Sequence, residues 1–576
     1  MEATEKDIKV TDGQRKVFVL GLDGATFDLM DPLIKEGELP NLAAIIKEGV
    51  RAKMNSTIPH HSAPAWTSFA TGKNPGKHGI LGFTKMLPNS YKLALVYGSD
   101  NKAKPLWDVA GDTGKNVIVV NIPMTFPPRP VNGLLLSGLD APSTSANFTY
   151  PRELREEILK VCPDYKINLH LGGYLQSERK RIKAVDMIMG AIKARLKVVL
   201  YLMERYPWDL FSVRFNAPDN VQHQFWKFMD KNHPLHREDS PALLKSAIRS
   251  VYKELDKVVG RIHEELEKEN TALIIMSDHG AGPNVGKCVY VNEWLKSLGY
   301  FAGLGQDGKT RFSGLRGMGV VLKGKLISFL LRTIPPEVKG VLLKFIPFAA
   351  SKTATHLKFS GINWEQTKAF VSEVEGIRIN LKGKYPSGTV EASAYEPLRE
   401  TIIDEASGLC DPDTGEPVFE QVLKREQVYS GDSVDEFPDI ILRPDDRYNL
   451  SPKLLGKKAA ENGFLAREQH WRKISGSHRQ HGIFIITGPD CKRGVQLDEI
   501  QIADILPTAL YQMGVPLPDD LDGQAIGQVF QEEFLKANPL KVRKAKEYEA
   551  VERGEIYSDE DKSKLVDSLR GLGYIE

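Results

Sequence analysis

Two short motifs in the sequence pair a carboxylate with an imidazole, and both side-chain types bind divalent metal ions readily. Asp219 and His223 lie four residues apart in DNVQH, a spacing that places both side chains on one face of a helical turn. Asp278 and His279 are adjacent in SDHGAGP, where the following glycine permits a sharp turn. Each pair alone is more often a surface contact or a turn than a metal site. A metal centre therefore requires that the two motifs meet in the folded chain.

Two more segments could complete such a centre. Asp23 stands in GLDG between Gly21 and Gly24, which would let the backbone and a metal ion approach each other closely. His478 lies in GSHRQHG, and we favour it over its rival His481, three residues later. The four segments together supply three carboxylates and three imidazoles, enough for two divalent ions that each keep an open coordination position.

A serine that follows two histidines is the candidate nucleophile. Ser62 stands two residues before Pro64 in HHSAPAWTSFATGKNPGKHGI. The proline can start a helix, and the positive end of that helix would also attract a phosphoryl oxygen. A hydroxyl near a divalent metal ion can lose its proton near neutral pH and act as a nucleophile. Thr67, Ser68 and Thr71 carry the same functional group, but they would lie inside the helix, and we interpret them as structural.

Five short apolar runs could position these groups. Three of the runs directly precede an Asp or Asn, and a fourth reaches Asp278 after one intervening residue. Segments of helical period separate the runs, a pattern typical of a parallel sheet covered by helices on both faces. The ligand site of such a sheet lies at the carboxyl ends of its strands, so the polar residues after positions 22, 215 and 276 should converge. The predicted strands cover residues 17–22, 117–120, 210–215, 273–276 and 483–486, and the predicted helices cover residues 39–49, 184–204, 241–268 and 502–514.

Length and composition describe a large globular protein. The chain has 576 residues, 41% of them hydrophobic, which suffices for one large α/β core with insertions or for several domains and excludes a disordered chain. Lys and Arg number 77 against 75 Asp and Glu, so no overall field favours a nucleic-acid polymer as partner. The four cysteines form no CxxC pair, which argues against a disulfide framework and a thiolate zinc site. No long apolar run or leader is evident, and we expect a cytoplasmic protein.

The motifs occur in an order that resembles a known enzyme family. The order is GLDGATFD, PNLAAIIKEG, SAPAWTSFATGKNPGKHGI, DNVQH, SDHGAGP and GSH. It resembles the type I phosphodiesterase and nucleotide pyrophosphatase branch of the alkaline phosphatase superfamily. In that family a Thr or Ser stands ten residues before the Gly of a TG dipeptide and two residues before a proline, as Ser62 does here. The resemblance covers roughly residues 15–290 and 360–530.

This resemblance implies a fold and a cofactor. The fold would be a three-layer α/β/α sandwich of the alkaline-phosphatase-like type, within the α/β class, with an inserted lid or cap. The cofactors would be two divalent metal ions, usually zinc in this family, with manganese and iron as alternatives that suit the same ligands. Ser62 would bridge toward the second ion as nucleophile. The first ion would bind Asp219, His223 and His478, and the second would bind Asp23, Asp278 and His279.

The sequence also departs from the family pattern. Phe83 stands 21 residues after the nucleophile, where nucleotide pyrophosphatases carry an Asn that holds a phosphate oxygen. Lys73, Lys77 and Asn216 are candidates to bind the substrate instead, because each lies in or beside a ligand segment. Sulfatases need an Arg four residues after their nucleophile, where this chain has Trp66, so cleavage of sulfate esters is not expected.

The chain divides into a core and two additions. We predict a catalytic core at residues 15–299 and 364–535, with an insertion near 131–186 that influences substrate choice. Residues 300–363 predict a basic and apolar lid, and residues 536–576 predict a charged helical tail. The lid could pack as helices with snorkelling lysines, or it could contact an anionic membrane surface peripherally.

Together these features predict a two-metal-dependent hydrolase of phosphate esters. It would cleave phosphodiester or pyrophosphate bonds through a phosphoseryl intermediate at Ser62, on a phosphorylated small molecule or a lipid-linked substrate. A phosphomonoesterase, a phosphonate-cleaving enzyme or a phosphotransferase on the same site is one alternative, because Lys73 or Lys77 could favour a monoester dianion. A catalytically silent protein that binds phosphate or lipid is another. The sequence indicates no oligomeric state.

Overall fold

The computed structural model describes most of the chain. It covers residues 15–169, 171–303, 362–372, 376–455, 463–467 and 474–548, together with residues 562, 565, 566 and 569. The predicted lid at 300–363 lies almost entirely outside the described residues, and so does most of the predicted tail beyond residue 548. Within the described ranges, no helix combines the length and the apolar character needed to span a membrane.

A mixed sheet of nine strands forms the centre of the described part of the chain. In spatial order its strands are β20 (Val495–Gln501), β2 (Val50–Asn55), β19 (His481–Thr487), β9 (Thr271–Met276), β1 (Lys16–Leu22), β8 (Leu210–Phe215), β5 (Val117–Val120), β6 (Gly133–Leu136) and β7 (Thr149–Tyr150). Strand β1 lies between β8 and β9 and is parallel to both, and β5 is parallel to β8. Four of the five predicted runs therefore form parallel neighbours in the middle of the sheet.

The fifth run forms β19, which differs from the prediction in its direction. It pairs antiparallel with both β2 and β9. Residues Ile483 to Ile486 are fully buried, as in a central parallel strand, because β19 is also covered on both faces. An apolar composition indicates that a strand is buried, but it does not indicate whether the strand runs parallel or antiparallel to its neighbours. The sequence pattern could therefore not distinguish these two directions.

Helices cover both faces of the sheet. Alternate residues of β1 pack against the helical layers on opposite faces. Phe18 and Leu20 pack in one hydrophobic cluster with residues of the helices over one face. Val17 and Val19 pack in a second cluster, together with Trp66, over the opposite face. This alternation is the period of a strand buried on both sides. The predicted three-layer α/β/α sandwich is confirmed.

Most helices agree with the predicted positions, and two differ. Helix α7 begins before residue 184 because Ser177 caps its N-terminus and accepts a hydrogen bond from the backbone of Lys180. The predicted helix at 241–268 is divided at Ser246. The helices are α1 (Phe27–Lys35), α2 (Pro40–Glu48), α3 (Ser62–Thr71), α4 (Pro75–His78), α5 (Leu106–Gly111), α6 (Leu154–Val161), α7 (Glu178–Arg205), α8 (Ala217–Met229), α9 (Ala242–Lys245), α10 (Ala247–Leu266), α11 (Val291–Ser297), α12 (Ala392–Ser407), α13 (Arg425–Val428), α14 (Ile505–Gln512) and α15 (Glu532–Ala537).

A separate group of elements lies between β9 and β19 in the sequence. Its own hydrophobic cluster includes Phe370, Ile377 and Ile440 and is distinct from the two clusters beside the large sheet. Residues 364–535 are predicted from the sequence to belong to the core as one block, and that boundary stays a prediction. The strands outside the large sheet are β3 (Thr84–Met86), β4 (Leu93–Leu95), β10 (Gly280–Pro283), β11 (Lys287–Tyr290), β12 (Ala369–Phe370), β13 (Gly376–Ile379), β14 (Phe419–Lys424), β15 (Ile440–Pro444), β16 (Tyr448–Ser451), β17 (Leu465–Arg467), β18 (Gly476–Arg479), β21 (Leu517–Pro518) and β22 (Val542–Arg543).

Candidate metal centre

Strand register brings the carboxylates after β1 and β9 to the same level. Gly21 of β1 pairs with Met276 of β9, so Asp23 and Asp278 each stand two residues beyond a paired position. The backbone N–H of Asp23 also donates to the carbonyl of Phe215, 3.0 Å away, which joins it to the end of β8. The predicted convergence at the carboxyl edge of the sheet is therefore built by the parallel strands themselves.

The first ligand group consists of Asp219, His223 and His478. Asp219 and His223 lie on one face of α8, and Oδ1 of Asp219 is 3.0 Å from Nε2 of His223. Nε2 of His478 lies 2.9 Å from Nε2 of His223 and 3.4 Å from Oδ1 of Asp219. Zinc ligands about 2.1 Å from a tetrahedral ion stand about 3.4 Å from one another. The three ligand atoms are therefore spaced as a bound ion needs them.

Close packing of β18 against α8 places His478 beside the helix. Gly476 begins β18, and a Cβ atom there would lie 2.4 Å from the backbone oxygen of Gln222. The backbone N–H of Ser475 donates to the carbonyl of His223 at 2.6 Å, which fixes the two elements together. His481, the sequence-based rival, is exposed and pairs with Glu499 instead.

The second ligand group consists of Asp23, Asp278 and His279, whose ligand atoms all lie within 4.8 Å of one another. All three side chains are fully buried. Oδ1 of Asp23 and Oδ2 of Asp278 are buried without a hydrogen-bond partner in the described structure. An unpartnered buried carboxylate oxygen is costly, and a divalent cation at this point would satisfy both atoms. The residues present therefore fit a metal ion.

The two groups and the candidate nucleophile adjoin each other. The rings of His279 and His478, one from each group, stack with centroids 3.7 Å apart. Oγ of Ser62 lies 3.3 Å from Nε2 of His279. The structure thus brings together all seven residues that the sequence analysis assigns to the metals and the nucleophile.

Hydrogen bonds also set the tautomers of two ligand histidines. Nδ1 of His223 lies 2.9 Å from the carbonyl of Gly476, and Nδ1 of His279 lies 2.9 Å from the carbonyl of Gly280. A carbonyl oxygen can only accept, so each Nδ1 carries the proton. In the neutral imidazole each Nε2 then presents a lone pair to the centre, as a metal ligand requires.

The site contains two residues whose role the sequence analysis missed. Arg214 of β8 donates through Nε to Oδ2 of Asp23, and Nε1 of Trp66 donates to the same oxygen at 2.9 Å. Trp66 fits here because Gly21 has no side chain: a Cβ would lie 2.3 Å from the indole. A lone arginine in the apolar strand LFSVRF is the signal that could have revealed Arg214.

Burial and neighbouring charges shift the acidity of the ligands. Although burial opposes the effect, His223 and His478 hold the pKa of Asp219 well below its usual range. Burial raises the pKa of Asp23 to about 7, and Arg214 opposes that rise. Burial and the neighbouring His279 hold the pKa of His478 well below its usual range, so the imidazole is neutral and able to bind a metal ion at pH 7.

Ser62 is the first residue of α3, and its rivals are engaged elsewhere. The hydroxyls of Thr67 and Thr71 donate to backbone carbonyls one helical turn earlier. Oγ of Ser68 lies 3.0 Å from Nε2 of His78. Within the described contacts, these three hydroxyls have structural partners, as the sequence analysis expects.

The residues suggested for substrate binding have other partners. Lys73 forms an ion pair with Asp520, and Lys77 forms one with Asp522. Asn216 is buried, and its Oδ1 accepts a hydrogen bond from Arg195 at 2.9 Å. These contacts provide no link to the two ligand groups, and the substrate-binding role stays a prediction.

The segment before the nucleophile also approaches the first ligand group. His60 and His61 are half-buried. The ring of His61 lies 5.9 Å from that of His478, and burial lowers the pKa of His61 to about 4. Phe83, at the position where the family carries an Asn, is buried in a hydrophobic cluster.

Comparisons with known proteins agree with this arrangement. Residues 17–482 match the family model described as type I phosphodiesterase/nucleotide pyrophosphatase. No curated protein matches the chain. Phosphonoacetate hydrolase from Sinorhizobium meliloti 1021, solved in complex with phosphonoformate, is 15% identical over 87% of this chain and 96% of that chain, with a TM-score of 0.51. This similarity confirms the predicted alkaline-phosphatase-like fold.

Two ectonucleotide pyrophosphatase/phosphodiesterase 5 structures are also similar. The human protein is 14% identical over 91% of this chain and 99% of that chain, with a TM-score of 0.46. An inactive murine variant in complex with AMP is 13% identical over 91% of this chain and 99% of that chain, with a TM-score of 0.45.

Proposed function

The chain belongs to the type I phosphodiesterase/nucleotide pyrophosphatase family, whose members hydrolyse phosphoesters, and we propose that it cleaves phosphodiester or pyrophosphate bonds through a phosphoseryl intermediate at Ser62. The observation that carries the proposal is the position of Oγ of Ser62, 3.3 Å from a ligand nitrogen of His279 and beside both ligand groups. We propose a phosphorylated small molecule as the substrate.

The proposed reaction has two steps at one serine. The hydroxyl of Ser62 gives up its proton, and Oγ forms a bond to phosphorus while the bond from phosphorus to the leaving oxygen breaks. The leaving group departs with the electron pair and takes up a proton. A water molecule then cleaves the phosphoseryl ester and restores the hydroxyl. Because Ser62 begins α3, backbone N–H groups at the helix N-terminus can donate to a phosphoryl oxygen.

Each ligand group would hold one divalent ion, and we propose zinc for both positions. When bound, the ions supply positive charge that lowers the pKa of a nearby hydroxyl and stabilises the oxygens of the transferred phosphoryl group. The chain's contribution is to direct Nε2 of His223 and His279 toward the centre and to keep water from the buried carboxylates. The Asp and His ligands are of the types that zinc prefers, although manganese and iron accept them as well.

The ion pairs of two lysines favour a diester over a monoester. A monoester dianion needs more cationic groups around its oxygens than a diester monoanion does. Lys73 and Lys77 were the candidates for that role, but they pair with Asp520 and Asp522. We therefore propose bis-p-nitrophenyl phosphate as the better of two simple test substrates.

The test compares two substrates and two serine variants. The wild-type protein, loaded with zinc, should hydrolyse bis-p-nitrophenyl phosphate faster than p-nitrophenyl phosphate. Ser62→Ala should lose turnover by at least about a thousandfold, as expected for loss of a nucleophile. Ser68→Ala, on the same helix, should retain turnover within about tenfold. Wild-type turnover by Ser62→Ala would exclude the covalent route, and a preference for the monoester would exclude the proposed substrate class.

A further inference from the structure

A small cavity lies at the end of α3 that is remote from Ser62. Its volume is about 150 Å³, and it lies between residues 102–112, residues 518–521 and residues 543–548, with Lys73 just beyond the helix end. A helix rises 1.5 Å per residue, so the ten residues of α3 separate this cavity from the nucleophile by roughly 15 Å. The cavity is thus distinct from the metal centre.

The lining of this cavity carries more positive than negative side chains. The cationic residues are Lys73, Lys102, Lys104, Arg543 and Lys546, and the acidic residues are Asp112, Asp520 and Glu547. Lys73 pairs with Asp520, and Lys102 pairs with Glu436, which is not part of the lining. The surplus of positive charge is therefore located on the remaining side, around Asp112.

Three cations share the single carboxylate of Asp112. Its Oδ2 lies 2.7 Å from Nζ of Lys104, 3.3 Å from Nζ of Lys546 and 3.9 Å from a guanidinium nitrogen of Arg543. Asp112 and Glu547 are the two carboxylates left in the lining once Asp520 is paired with Lys73, so these three cations exceed the carboxylates by one positive charge. The mutual repulsion of the three cations would be relieved by a bound anion.

We propose that this Asp112 cavity binds a phosphate dianion, either free or as the terminal group of a phosphomonoester. The surplus of positive charge would attract the dianion, and the guanidinium of Arg543 can donate hydrogen bonds to a phosphate. The volume suits a single phosphate group, because pockets for whole drug-sized ligands measure about 300–1,000 Å³. The site is independent of the proposed reaction at Ser62.

The experiment measures phosphate binding to the full chain by equilibrium dialysis with radiolabelled inorganic phosphate. Phosphate would also bind at the metal centre, so the comparison is made in an Asp278→Asn background, which disables one ligand of that centre. One site should remain in this protein. Adding Arg543→Gln and Lys546→Gln should weaken that site at least about tenfold. The matched control is Lys536→Gln, which removes an exposed lysine of α15 that pairs with Glu532, and it should bind phosphate unchanged.

A variant that is expected to bind phosphate more tightly distinguishes a specific loss of affinity from misfolding. Asp112→Asn removes the carboxylate that the three cations share, so phosphate should bind at least about threefold more tightly. Glycerol phosphate as a second ligand distinguishes the two sources of the dianion: tighter binding of the ester indicates a phosphomonoester, and binding of inorganic phosphate alone indicates the free ion. The proposal is overturned if the Asp278→Asn protein binds neither ligand, if the Arg543 and Lys546 substitutions leave affinity unchanged, or if Asp112→Asn weakens binding.

Discussion

Arg214 donates a hydrogen bond through Nε to Oδ2 of Asp23, and both side chains are almost completely buried, at 1% and 0% exposure. The pair comes from two adjacent parallel strands, because Arg214 is opposite Gly21 in the register of β1 and β8. The contact occupies Oδ2 of Asp23, whereas Oδ1, which has no hydrogen-bond partner in the described structure, is left for a metal ion. Arg214, a residue in the core of the sheet, therefore holds a candidate metal ligand in place at the edge of the sheet.

The first prediction concerns the loss of this buried ion pair. Arg214→Met keeps most of the side-chain volume but leaves the carboxylate of Asp23 without its buried counter-charge. Removing one partner of a buried pair typically costs about 3–5 kcal/mol. We expect a loss of this size in the free energy of unfolding of metal-depleted protein, measured by urea denaturation.

Metal ions provide the control for this variant. A bound cation would itself compensate Asp23, so the loss caused by Arg214→Met should be smaller when zinc is in excess than after treatment with a chelator. An equal loss under both conditions would show that Asp23 does not contact a metal ion.

The second prediction concerns the indole that holds the same carboxylate. Trp66→Phe retains an aromatic ring over Gly21 but removes the Nε1 donor to Oδ2 of Asp23. Partners of metal ligands typically contribute tenfold to a hundredfold to metal affinity. We expect zinc affinity to fall by about tenfold or more, measured by competition with a chromophoric chelator. Trp107→Phe, a substitution of another buried tryptophan, is the matched control and should leave zinc affinity unchanged.

The third prediction concerns the approach of β18 to α8. In Gly476→Ala the new methyl group would meet the backbone oxygen of Gln222 at 2.4 Å, so the strand must move away from the helix that carries His223. When the variant is loaded with zinc, we expect it to keep one ion fewer on dialysis than the wild type, as measured by elemental analysis. Gly190→Ala in α7, where a Cβ meets no atom within 4 Å, should retain both ions and gain up to about 1 kcal/mol of stability.

The fourth prediction concerns pH. Burial raises the pKa of Asp23 to about 7 from an ordinary value of 3.8. In metal-free protein the folded state then holds a proton that the unfolded state has released between these two values. The contribution of Asp23 to the free energy of unfolding should therefore decrease as pH rises from about 4 to about 7. Urea denaturation at pH 5 and pH 7.5 measures the decrease.

Two comparisons test whether Asp23 causes this decrease in the free energy of unfolding. In Asp23→Asn no carboxyl remains to titrate at this position. The free energy of unfolding of this variant should therefore decrease less between pH 5 and pH 7.5 than that of the wild type. Bound zinc requires the deprotonated carboxylate, so zinc affinity of the wild type should rise over the same pH range. A zinc affinity that stays constant from pH 5 to pH 7 would contradict the assignment of Asp23 as a ligand.

The sequence was sufficient to predict the middle of the fold and which segments meet at the edge of the sheet. Strands such as β1 and β9 are short apolar runs buried on both faces, so their composition alone marks them. Asp219 with His223 and Asp278 with His279 are local motifs whose spacing reflects one helical turn or one tight turn. Such features depend on residues that are close together in the sequence, so they can be recognised from the sequence alone.

Features that depend on distant segments were not predictable. The direction of β19 follows from its pairing with β2 and β9, which its own apolar residues do not encode. Lys73 and Lys77 looked available for substrate, and only the fold brings Asp520 and Asp522 beside them. Charge pairing between residues more than 400 positions apart depends on the complete topology.

The central claim is that Ser62 attacks phosphorus beside two ligand groups. The most direct test is mass spectrometry of zinc-loaded protein quenched with acid during turnover of bis-p-nitrophenyl phosphate. We expect the peptide that contains Ser62 to carry one nitrophenyl phosphoryl group, both in the wild type and in Ser68→Ala. An unmodified Ser62 peptide throughout turnover, together with undiminished hydrolysis by Ser62→Ala, would contradict the account.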